Sequence, residues 1–243
     1  MIDKSVAWIK KQVEGAGAKG CVFGLSGGLD SSVAGALCVK AFPKSSLGLL
    51  MPCFSHEEDL RDAREVAEKF AVPTKLIDLG PACSQLYVQL EGKPYDGKEM
   101  NLPIANLKPR LRMIALYYHA NKMNYLVVGT GNRSEAVMGY FTKYGDAGVD
   151  IFPLGGLLKS EVKKLAKELG IPDKIIDKKP TAGLWHGQTD EEEMGITYAV
   201  LDKIIAGMGT NKLAGLDQKL VTKVKQKMKE TEHKRSLPPI FVP

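Results

Sequence analysis

Residues 20–39 read GCVFGLSGGLDSSVAGALCV, which is the most informative stretch of the sequence about the fold. It begins with a short apolar run, residues 20–24, that is typical of a buried parallel β-strand. A glycine-rich turn occupies residues 24–32, and the chain then continues into an apolar helix over residues 33–39. A strand, a glycine-rich turn and a helix in this order predict the first part of a βαβ unit.

The turn has the composition of a phosphate-binding loop. Its glycines allow a tight bend in which several backbone N–H groups point at one anion, and the N-terminus of the next helix adds its dipole. Ser26, Ser31 and Ser32 can donate hydroxyl groups. Asp30 would repel phosphate unless a cation lies between them, which predicts Mg²⁺. The alternative is a purely structural turn between strand and helix, capped by Ser and Asp.

The same pattern of short apolar runs and helical stretches continues along the chain. Strands are predicted over residues 47–51, 74–78 and 125–129, and helices over residues 3–14, 55–70, 109–122, 160–169, 191–206 and 216–232, with a capping box at Ser55 and Glu58. This alternation predicts an α/β fold with a doubly wound, mostly parallel sheet flanked by helices, similar to a Rossmann fold. We expect residues 1–243 to form one domain, with a mobile loop near residues 175–189 and a C-terminal tail near residues 232–243.

Composition limits the class of protein. The 243 residues have 34 Lys+Arg against 28 Asp+Glu, a formal charge of +6, and 44% hydrophobic residues, which is ordinary globular composition. No run approaches the roughly 18 apolar residues of a membrane span, and no signal-peptide core is present, so we expect a soluble, cytoplasmic protein. The spacing of the four cysteines matches no zinc pattern. The positive charge fits either nucleic acid or phosphorylated substrates, and no aromatic-basic RNA-binding module is evident.

Further motifs lie downstream of the glycine-rich turn. They read GTGNRSEAVMGYFTKYGD at residues 129–146, DIFPL at 150–154, LKSE at 158–161 and KPTAGLWHGQTDE at 179–191. The turn itself lacks the lysine of a Walker P-loop and resembles the pyrophosphate loop of the ATP pyrophosphatases. All the motifs together resemble the NAD synthetases of that superfamily, and the resemblance extends over residues 24–234.

The resemblance implies an activity. In this family ATP and deamido-NAD give an adenylated intermediate, which an amine then converts to NAD, with AMP and pyrophosphate as the other products. Glutamine-dependent members carry an additional N-terminal nitrilase-like domain, whereas the pyrophosphate loop begins here at Gly24. The resemblance therefore implies free ammonia as the nitrogen donor, Mg²⁺ as the metal, a homodimer, and no nucleic-acid or membrane partner.

The resemblance also assigns site residues position by position. Asp30, Lys159 and Asp146 are the implied catalytic groups, and Asp30 and Glu135 the implied Mg²⁺ ligands. The implied ATP contacts are Gly24, Leu25, Ser26, Gly27, Gly28, Leu29, Asp30, Ser31, Thr130, Lys159 and Thr181. The implied deamido-NAD contacts are Arg110, Lys143, Asp150, His233 and Lys234.

Several of these assignments have alternatives. Arg112 could contact the substrate in place of Arg110. Glu135 could be an acidic residue of a first helical turn that complements the helix dipole, and Asp146, proposed to bind and deprotonate ammonium, could simply form a turn after Gly145. The hydroxyl of Thr181 could bind a second metal ion.

Two other functions compete with amidation of deamido-NAD. One is a tRNA-modifying enzyme of the same superfamily, either a thiolase or a lysidine-type ligase. The sequence shows no paired reactive cysteines of the kind that thiolases use. The other is a sensor that binds ATP without turnover, which the presence of Asp30, Glu135, Lys159 and Thr181 together disfavours.

Overall fold

The computed structural model describes residues 1–95, 101–185, 187–208, 210, 213 and 215–242. Its four-stranded parallel sheet contains β1 (Cys21–Gly24), β2 (Ser46–Leu50), β3 (Thr74–Leu76) and β4 (Leu126–Val128) in the order β3-β2-β1-β4. In the register, Phe23 of β1 lies between Gly48 of β2 and Val128 of β4. β1, β3 and β4 fall within runs predicted from sequence, and β2 begins one residue before its predicted run. The parallel, doubly wound fold is therefore confirmed.

Helices follow the strands and cover both faces of the sheet. They are α1 (Ile2–Gly15), α2 (Leu29–Ala41), α3 (Glu57–Lys69), α4 (Gly80–Glu91), α5 (Leu102–Met123), α6 (Arg133–Met138), α7 (Lys159–Leu169), α8 (Asp173–Ile176), α9 (Asp190–Met194), α10 (Tyr198–Gly207), α11 (Gln218–Glu230) and α12 (Glu232–Arg235). None of the helices in the described part of the chain has the length and apolar content that crossing a membrane requires.

Local sequence signals placed some helix ends wrongly. The capping box at Ser55 and Glu58 is absent: α3 begins after His56, and the Ser55 hydroxyl instead accepts hydrogen bonds from Cys53 N and Arg112 Nη2. The helix predicted from Pro109 begins earlier, at Leu102, because the Asn101 side chain accepts a hydrogen bond from Ile104 N at 3.0 Å.

Two further helices differ from the prediction. The helix predicted over residues 191–206 is two helices, α9 and α10, because the chain turns at Gly195 with a φ of +60°. Helix α4 was not predicted, since its buried residues are few and include Gly80 and Cys83 beside Tyr87. The predicted C-terminal tail contains the single turn α12.

The core consists of three clusters. On one face of the sheet, α1, α2 and α7 bury Ile9, Leu37 and Leu165, and on the other face α4 and α5 cover Val22 and Leu49. The third cluster is formed by residues of α6, α9, α10 and α11, of which α10 and α11 pack against α6. The four cysteines are buried in the first two clusters and form no disulfide.

The carboxyl ends of β1, β2 and β4 open into a cleft of about 560 Å³. In parallel α/β sheets, ligands bind at this edge. The glycine-rich turn after β1, Thr130 after β4 and the irregular segment 178–185 all line the cleft. The fold therefore places the predicted site motifs around a single cavity.

Candidate active site

The glycine-rich turn is held in shape by its own serines. Gly27 has a φ of +81°, and a Cβ at that position would lie 2.3 Å from the carbonyl oxygen of Asp59. The Ser31 hydroxyl contacts the Ser26 hydroxyl at 2.9 Å, and the Ser32 hydroxyl donates to Gly28 O at 2.7 Å. Ser32 is fully buried, so this hydroxyl serves the turn, whereas Ser26 and Ser31 line the cleft.

At the base of the cleft, the ammonium group of Lys159 lies between two carboxylates. It donates hydrogen bonds to Asp30 Oδ2 and to Glu135 Oε1, the latter at 3.2 Å. The three residues come from three helix N-termini: Asp30 from α2, Glu135 from α6 and Lys159 from α7. Lys159 is only 4% exposed. Three residues predicted from separate motifs are thus brought into one buried charge cluster.

Burial and charge shift the pKa values within this cluster. Burial raises the pKa of Glu135 to about 7; the charge of Lys159 opposes this shift and that of Asp30 adds to it. Burial by itself would lower the pKa of Lys159, but the carboxylates of Asp30 and Glu135 outweigh it and raise that pKa above its ordinary value. Lys159 therefore remains protonated at neutral pH, and Glu135 is the group able to exchange its proton.

Glu135 also fulfils the alternative role that the sequence left open. It is the third residue of α6 and forms a capping box with Asn132, whose backbone N–H donates to Glu135 Oε2 at 3.2 Å. The Asn132 side chain in turn donates to Asp30 Oδ1 at 3.2 Å. Because the cap uses Oε2 and Lys159 uses Oε1, the capping role of Glu135 is compatible with its place in the charge cluster.

Sequence reasoning missed the residues that support this cluster from α10. Asp202 accepts hydrogen bonds from the Ser134 hydroxyl at 2.5 Å and from Ser160 N at 2.8 Å, and so joins α6 to α7. The hydroxyl of Tyr198 donates to Glu135 Oε1 and to Asp190 Oδ2 at 3.2 and 3.0 Å. The one sequence signal for Asp202 was the presence of an aspartate among the apolar residues of one helix face.

The other predicted ATP and ammonia residues line the cleft. Thr130 and Thr181 do so, and the hydroxyl of Thr181 accepts a hydrogen bond from Gly183 N at 3.1 Å. Asp146 accepts one from Thr142 N at 2.8 Å, which is its turn-forming role. Desolvation in the cleft raises the pKa of Asp146, although its side chain remains accessible. Asp146 therefore makes the hydrogen bond expected of a turn-forming residue. It also has the solvent access that a residue binding ammonium requires.

The predicted deamido-NAD residues separate into two places. Lys143 donates to the His233 carbonyl, and Arg110 donates to the Lys143 carbonyl at 3.3 Å, so these three residues are neighbours on an exposed edge. Lys234 lines the cleft and donates to Gly139 O and Phe141 O at 2.8 and 2.9 Å.

Asp150 and Arg112 lie apart from that edge. Asp150 accepts hydrogen bonds from Val127 N at 2.7 Å and from the Tyr117 hydroxyl at 3.0 Å, and it does not line the cleft. Arg112 does line the cleft, where it donates to Met51 O at 3.2 Å. Of the two arginines between which the sequence left the choice open, Arg112 is inside the cleft and Arg110 is outside it.

The structure also contains a pair of thiols that the sequence did not reveal. Cys53 and Cys83 are neighbours in the second core cluster, and the hydrogen bond between them lowers the pKa of Cys83 to about 7. Both side chains are fully buried. Because neither sulfur lines the cleft, this pair does not supply the accessible thiols that a thiolase requires.

The irregular segment between α8 and α9 forms one wall of the cleft and is attached at several points. Lys178 pairs with Asp59 at 2.8 Å and Asp62 at 2.7 Å on α3, and Lys108 on α5 donates to Leu184 O at 2.6 Å. Nearer α9, Gln188 accepts a hydrogen bond from Leu184 N at 2.8 Å. His186, part of the predicted mobile loop, lies outside the described residues.

The donor chemistry at the base of the cleft fits Mg²⁺. In the part of the chain that the structure describes, no group of three or more His, Cys, Asp or Glu residues has the arrangement of a complete metal site. Mg²⁺, however, typically uses one or two carboxylates together with phosphate oxygens and water. Asp30, Glu135 and the nearby Asp190 supply three carboxylates against one lysine, and a buried Asp190 oxygen has no hydrogen-bond partner among the described residues. This excess of negative charge favours a bound cation.

The shape of the turn can be tested with a matched pair of glycine substitutions. We expect Gly27→Ala to lower the free energy of unfolding by about 1–3 kcal/mol or more, because alanine is strained at positive φ and its Cβ meets the Asp59 carbonyl. Gly28→Ala is the control, since its φ of −85° suits alanine and should change stability by less than about 1 kcal/mol. Urea denaturation measures both, and equal losses would contradict the assigned backbone.

The raised pKa of Glu135 predicts a pH dependence of stability in ligand-free protein with a chelator present. Between pH 4.5 and about 7 the folded state holds a proton that the unfolded state has released, so this contribution to stability is lost as pH rises through that range. We expect Glu135→Gln, which keeps the cap, to gain on the order of 2 kcal/mol relative to wild type over the interval. Urea denaturation at successive pH values tests this, with Glu161→Gln at the same position of α7 as the control. Parallel profiles for Glu135→Gln and wild type would contradict the pKa shift.

Comparisons with a family model and with known proteins point to the same family. Residues 1–238 match the family model described as NAD synthase. An NH(3)-dependent NAD(+) synthetase of Carboxydothermus hydrogenoformans is 45% identical over 240 residues, which cover 98% of this chain and 95% of that protein.

Solved structures agree with the family match. The NMN synthetase from Francisella tularensis superposes with a TM-score of 0.89 at 36% identity, covering 98% of this chain and 96% of that one. The NH3-dependent NAD synthetase from Campylobacter jejuni, in complex with the nitrate ion, superposes with a TM-score of 0.84 at 29% identity, covering 99% and 97%. On its fold, its cleft and these matches, the chain belongs to the NAD synthase family.

Proposed function

We propose that the protein catalyses the ATP-dependent amidation of deamido-NAD by ammonia, giving NAD, AMP and pyrophosphate. The observation that carries the proposal is the Asp30–Lys159–Glu135 cluster at the base of a cleft that begins with the phosphate-binding turn. The family match and the relatives named as NH(3)-dependent NAD(+) synthetases support it.

The chemistry explains why a phosphate-binding turn and a buried lysine are needed together. A nicotinate carboxylate is a poor electrophile, so one of its oxygens first attacks the α-phosphorus of ATP and pyrophosphate leaves. Ammonia then attacks the carboxyl carbon of the adenylate, loses a proton, and AMP leaves. Negative charge develops on the α-phosphate in the first step, and in this proposal the Lys159 ammonium group, which lies at the base of the cleft, stabilises it.

Mg²⁺ is part of the proposal. Asp30 and Glu135 would hold the ion together with phosphate oxygens of ATP, since two carboxylates and a polyphosphate form its usual ligand set. When bound, the ion neutralises charge on the phosphates and the leaving pyrophosphate. The proton that Glu135 holds near neutral pH would be released on metal binding, because ligation requires the ionised carboxylate.

The remaining residues position the two other substrates in this proposal. Lys234 within the cleft and Arg110 and Lys143 at its exposed edge supply positive groups for the pyrophosphate of deamido-NAD, with His233 beside them. Asp150, which lies apart from that edge, supports β4. Arg112, which lines the cleft, replaces Arg110 as the arginine nearest the reacting groups. Asp146 is the proposed acceptor of the ammonium proton, because its carboxylate lies in the cleft and remains accessible.

We also propose a single-domain homodimer in the cytoplasm. Ile114 and Tyr118 are 58% and 62% exposed on α5 and would be covered by a second copy of the chain. Free, buried cysteines agree with a reducing compartment. The segment 175–189 and the C-terminal residues from 232 onward would close over the substrates and exclude water, which would otherwise hydrolyse the adenylate.

A second candidate substrate has a specific observation in its favour. The structure with a TM-score of 0.89 is named an NMN synthetase. The same chemistry on the mononucleotide, nicotinic acid mononucleotide, would give nicotinamide mononucleotide. The two substrates share the reacting carboxylate and differ only in the adenylate half, which would lie toward the exposed edge.

One assay decides between these substrates. The protein is incubated with ATP, Mg²⁺ and ammonium, and with either deamido-NAD or nicotinic acid mononucleotide, and the products are separated by chromatography. The proposal expects NAD, AMP and pyrophosphate in equal amounts and a higher kcat/KM for deamido-NAD. Formation of ADP, or a higher kcat/KM for the mononucleotide, would contradict it.

Substitution of Asp30 tests the assigned cluster. We expect Asp30→Asn to lower kcat by a factor on the order of 10² or more, because a metal ligand and the partner of Lys159 are lost together. Asp3→Asn, on the exposed first turn of α1, is the control and should leave kcat unchanged. Near-normal turnover of Asp30→Asn would refute the metal assignment.

Hydrogen exchange tests closure over the substrates. We expect amides in residues 175–185 and 232–242 to gain protection when ATP and deamido-NAD bind, while β1 remains equally protected with and without them. Mass spectrometry of proteolytic peptides measures this. Equal protection of the two segments in the free and bound protein would count against a closing role.

A further inference from the structure

The residue that carries a further inference is Asp190, which no motif-based assignment used. It is the first residue of α9 and ends the irregular wall of the cleft. Its backbone N–H donates to Pro180 O at 3.1 Å, which closes the two ends of that segment on each other. The segment 180–190 is here called the wall loop. The Asp190 carboxylate is therefore fixed to the point where the two ends of the wall loop meet.

The Asp190 carboxylate is buried and incompletely satisfied. Its side chain lines the cleft, the residue is 4% exposed, and Oδ2 accepts the Tyr198 hydroxyl. Oδ1 has no hydrogen-bond partner in the described structure. The hydroxyl of Tyr140 lies near Asp190 but donates to Glu193 Oε2 at 2.5 Å. A buried carboxylate oxygen without a partner is costly unless a cation compensates it.

Tyr198 connects this carboxylate to the reaction centre. Its single hydroxyl contacts both Asp190 Oδ2 and Glu135 Oε1, and Lys159 Nζ lies 4.9 Å from the centre of its ring. The charge of Asp190 is attracted by Lys159 and repelled by Asp30. One lysine thus faces three carboxylates, and the third of them is carried by the wall loop.

We propose that Asp190 is a charged neighbour of the cation centre, close to the two carboxylates of Asp30 and Glu135 that would hold the ion, and makes docking of the wall loop depend on the divalent cation. Without the cation, docking brings a negative charge toward Asp30 and Glu135, and this repulsion opposes closure. With the cation bound, the same charge is attracted and the loop stays docked. Since coupling between two equilibria is reciprocal, the docked loop also strengthens cation binding. The inference rests on the proposed function, because that function supplies the metal.

Trp185 allows this coupling to be measured without turnover. The chain has two tryptophans, Trp8 on α1 and Trp185 in the wall loop. In a Trp8→Phe background, acrylamide quenching of the remaining fluorescence reports how exposed the wall loop is. Mg²⁺ is titrated in the presence of α,β-methylene ATP, in which the bond to be broken cannot be cleaved, and the same titration gives the apparent Kd for Mg²⁺.

Three variants separate charge from structure. For Asp190→Asn we expect Trp185 to be protected with and without Mg²⁺, and the apparent Kd for Mg²⁺ to rise about tenfold, because one unit charge close to the ion is lost. Asp190→Glu keeps the charge and should keep the Mg²⁺ dependence of quenching. Glu192→Gln, exposed on the same helix, is the control and should match the parent protein.

The possible results divide clearly. If Asp190→Asn shows the Mg²⁺ dependence and the Kd of the parent protein, the coupling is refuted. If Trp185 is exposed in Asp190→Asn under both conditions, the carboxylate only maintains the fold of the loop, and the proposal is also wrong. If the parent protein binds the ATP analogue equally well with and without Mg²⁺, the Mg²⁺ of the proposed function is refuted. This result comes from the parent protein alone, so it is distinct from a failure of the Asp190 coupling.

Discussion

The contact between Lys159 and the carboxylates of Asp30 and Glu135 is the interaction on which the arrangement of the cleft depends. A lysine that is 4% exposed loses most of its hydration, and only charged partners at hydrogen-bond distance compensate for that loss. The three residues are located on α2, α6 and α7, so these helices must begin at neighbouring points. The parallel register of β1 with β4 provides this, because α2 follows β1 and α6 follows β4 at the same edge of the sheet.

A second layer of hydrogen bonds keeps those helix ends in place. Asp202 joins Ser134 on α6 to Ser160 on α7, and Asn132 joins the start of α6 to Asp30 on α2. Both are buried polar groups whose partners are satisfied, an arrangement that rigidifies a site. The third core cluster, which contains α10, therefore contributes to the site by holding Asp202 and Tyr198 behind the charged residues.

The charge of the molecule is distributed in two opposing ways. The chain as a whole is positive by 6, and Lys143, Lys234 and Arg110 contribute positive groups at or near the cleft. The base of the cleft has the opposite charge, because its carboxylates outnumber the single ammonium group of Lys159. Positive groups at the rim attract polyphosphate substrates, and the cation of the proposed function would balance the negative base. A nucleotide that arrives with its metal ion satisfies both parts of this distribution.

The parallel sheet, the glycine-rich turn and the residues that meet at the base of the cleft could all be predicted from the amino-acid sequence. Strands and glycine-rich turns can be recognised from consecutive residues, and the resemblance to a known family named Asp30, Glu135 and Lys159 as residues of one site. The packing of the helices was needed to show that Arg112 lines the cleft and that Glu135 both caps α6 and contacts Lys159. The same packing brings Asp190, Tyr198 and Asp202 behind the cluster. The helix boundaries at Leu102 and Gly195 also escaped prediction. The physical reason is that burial, pKa shifts and hydrogen bonds between residues far apart in sequence depend on the packing of whole helices, which no local pattern records.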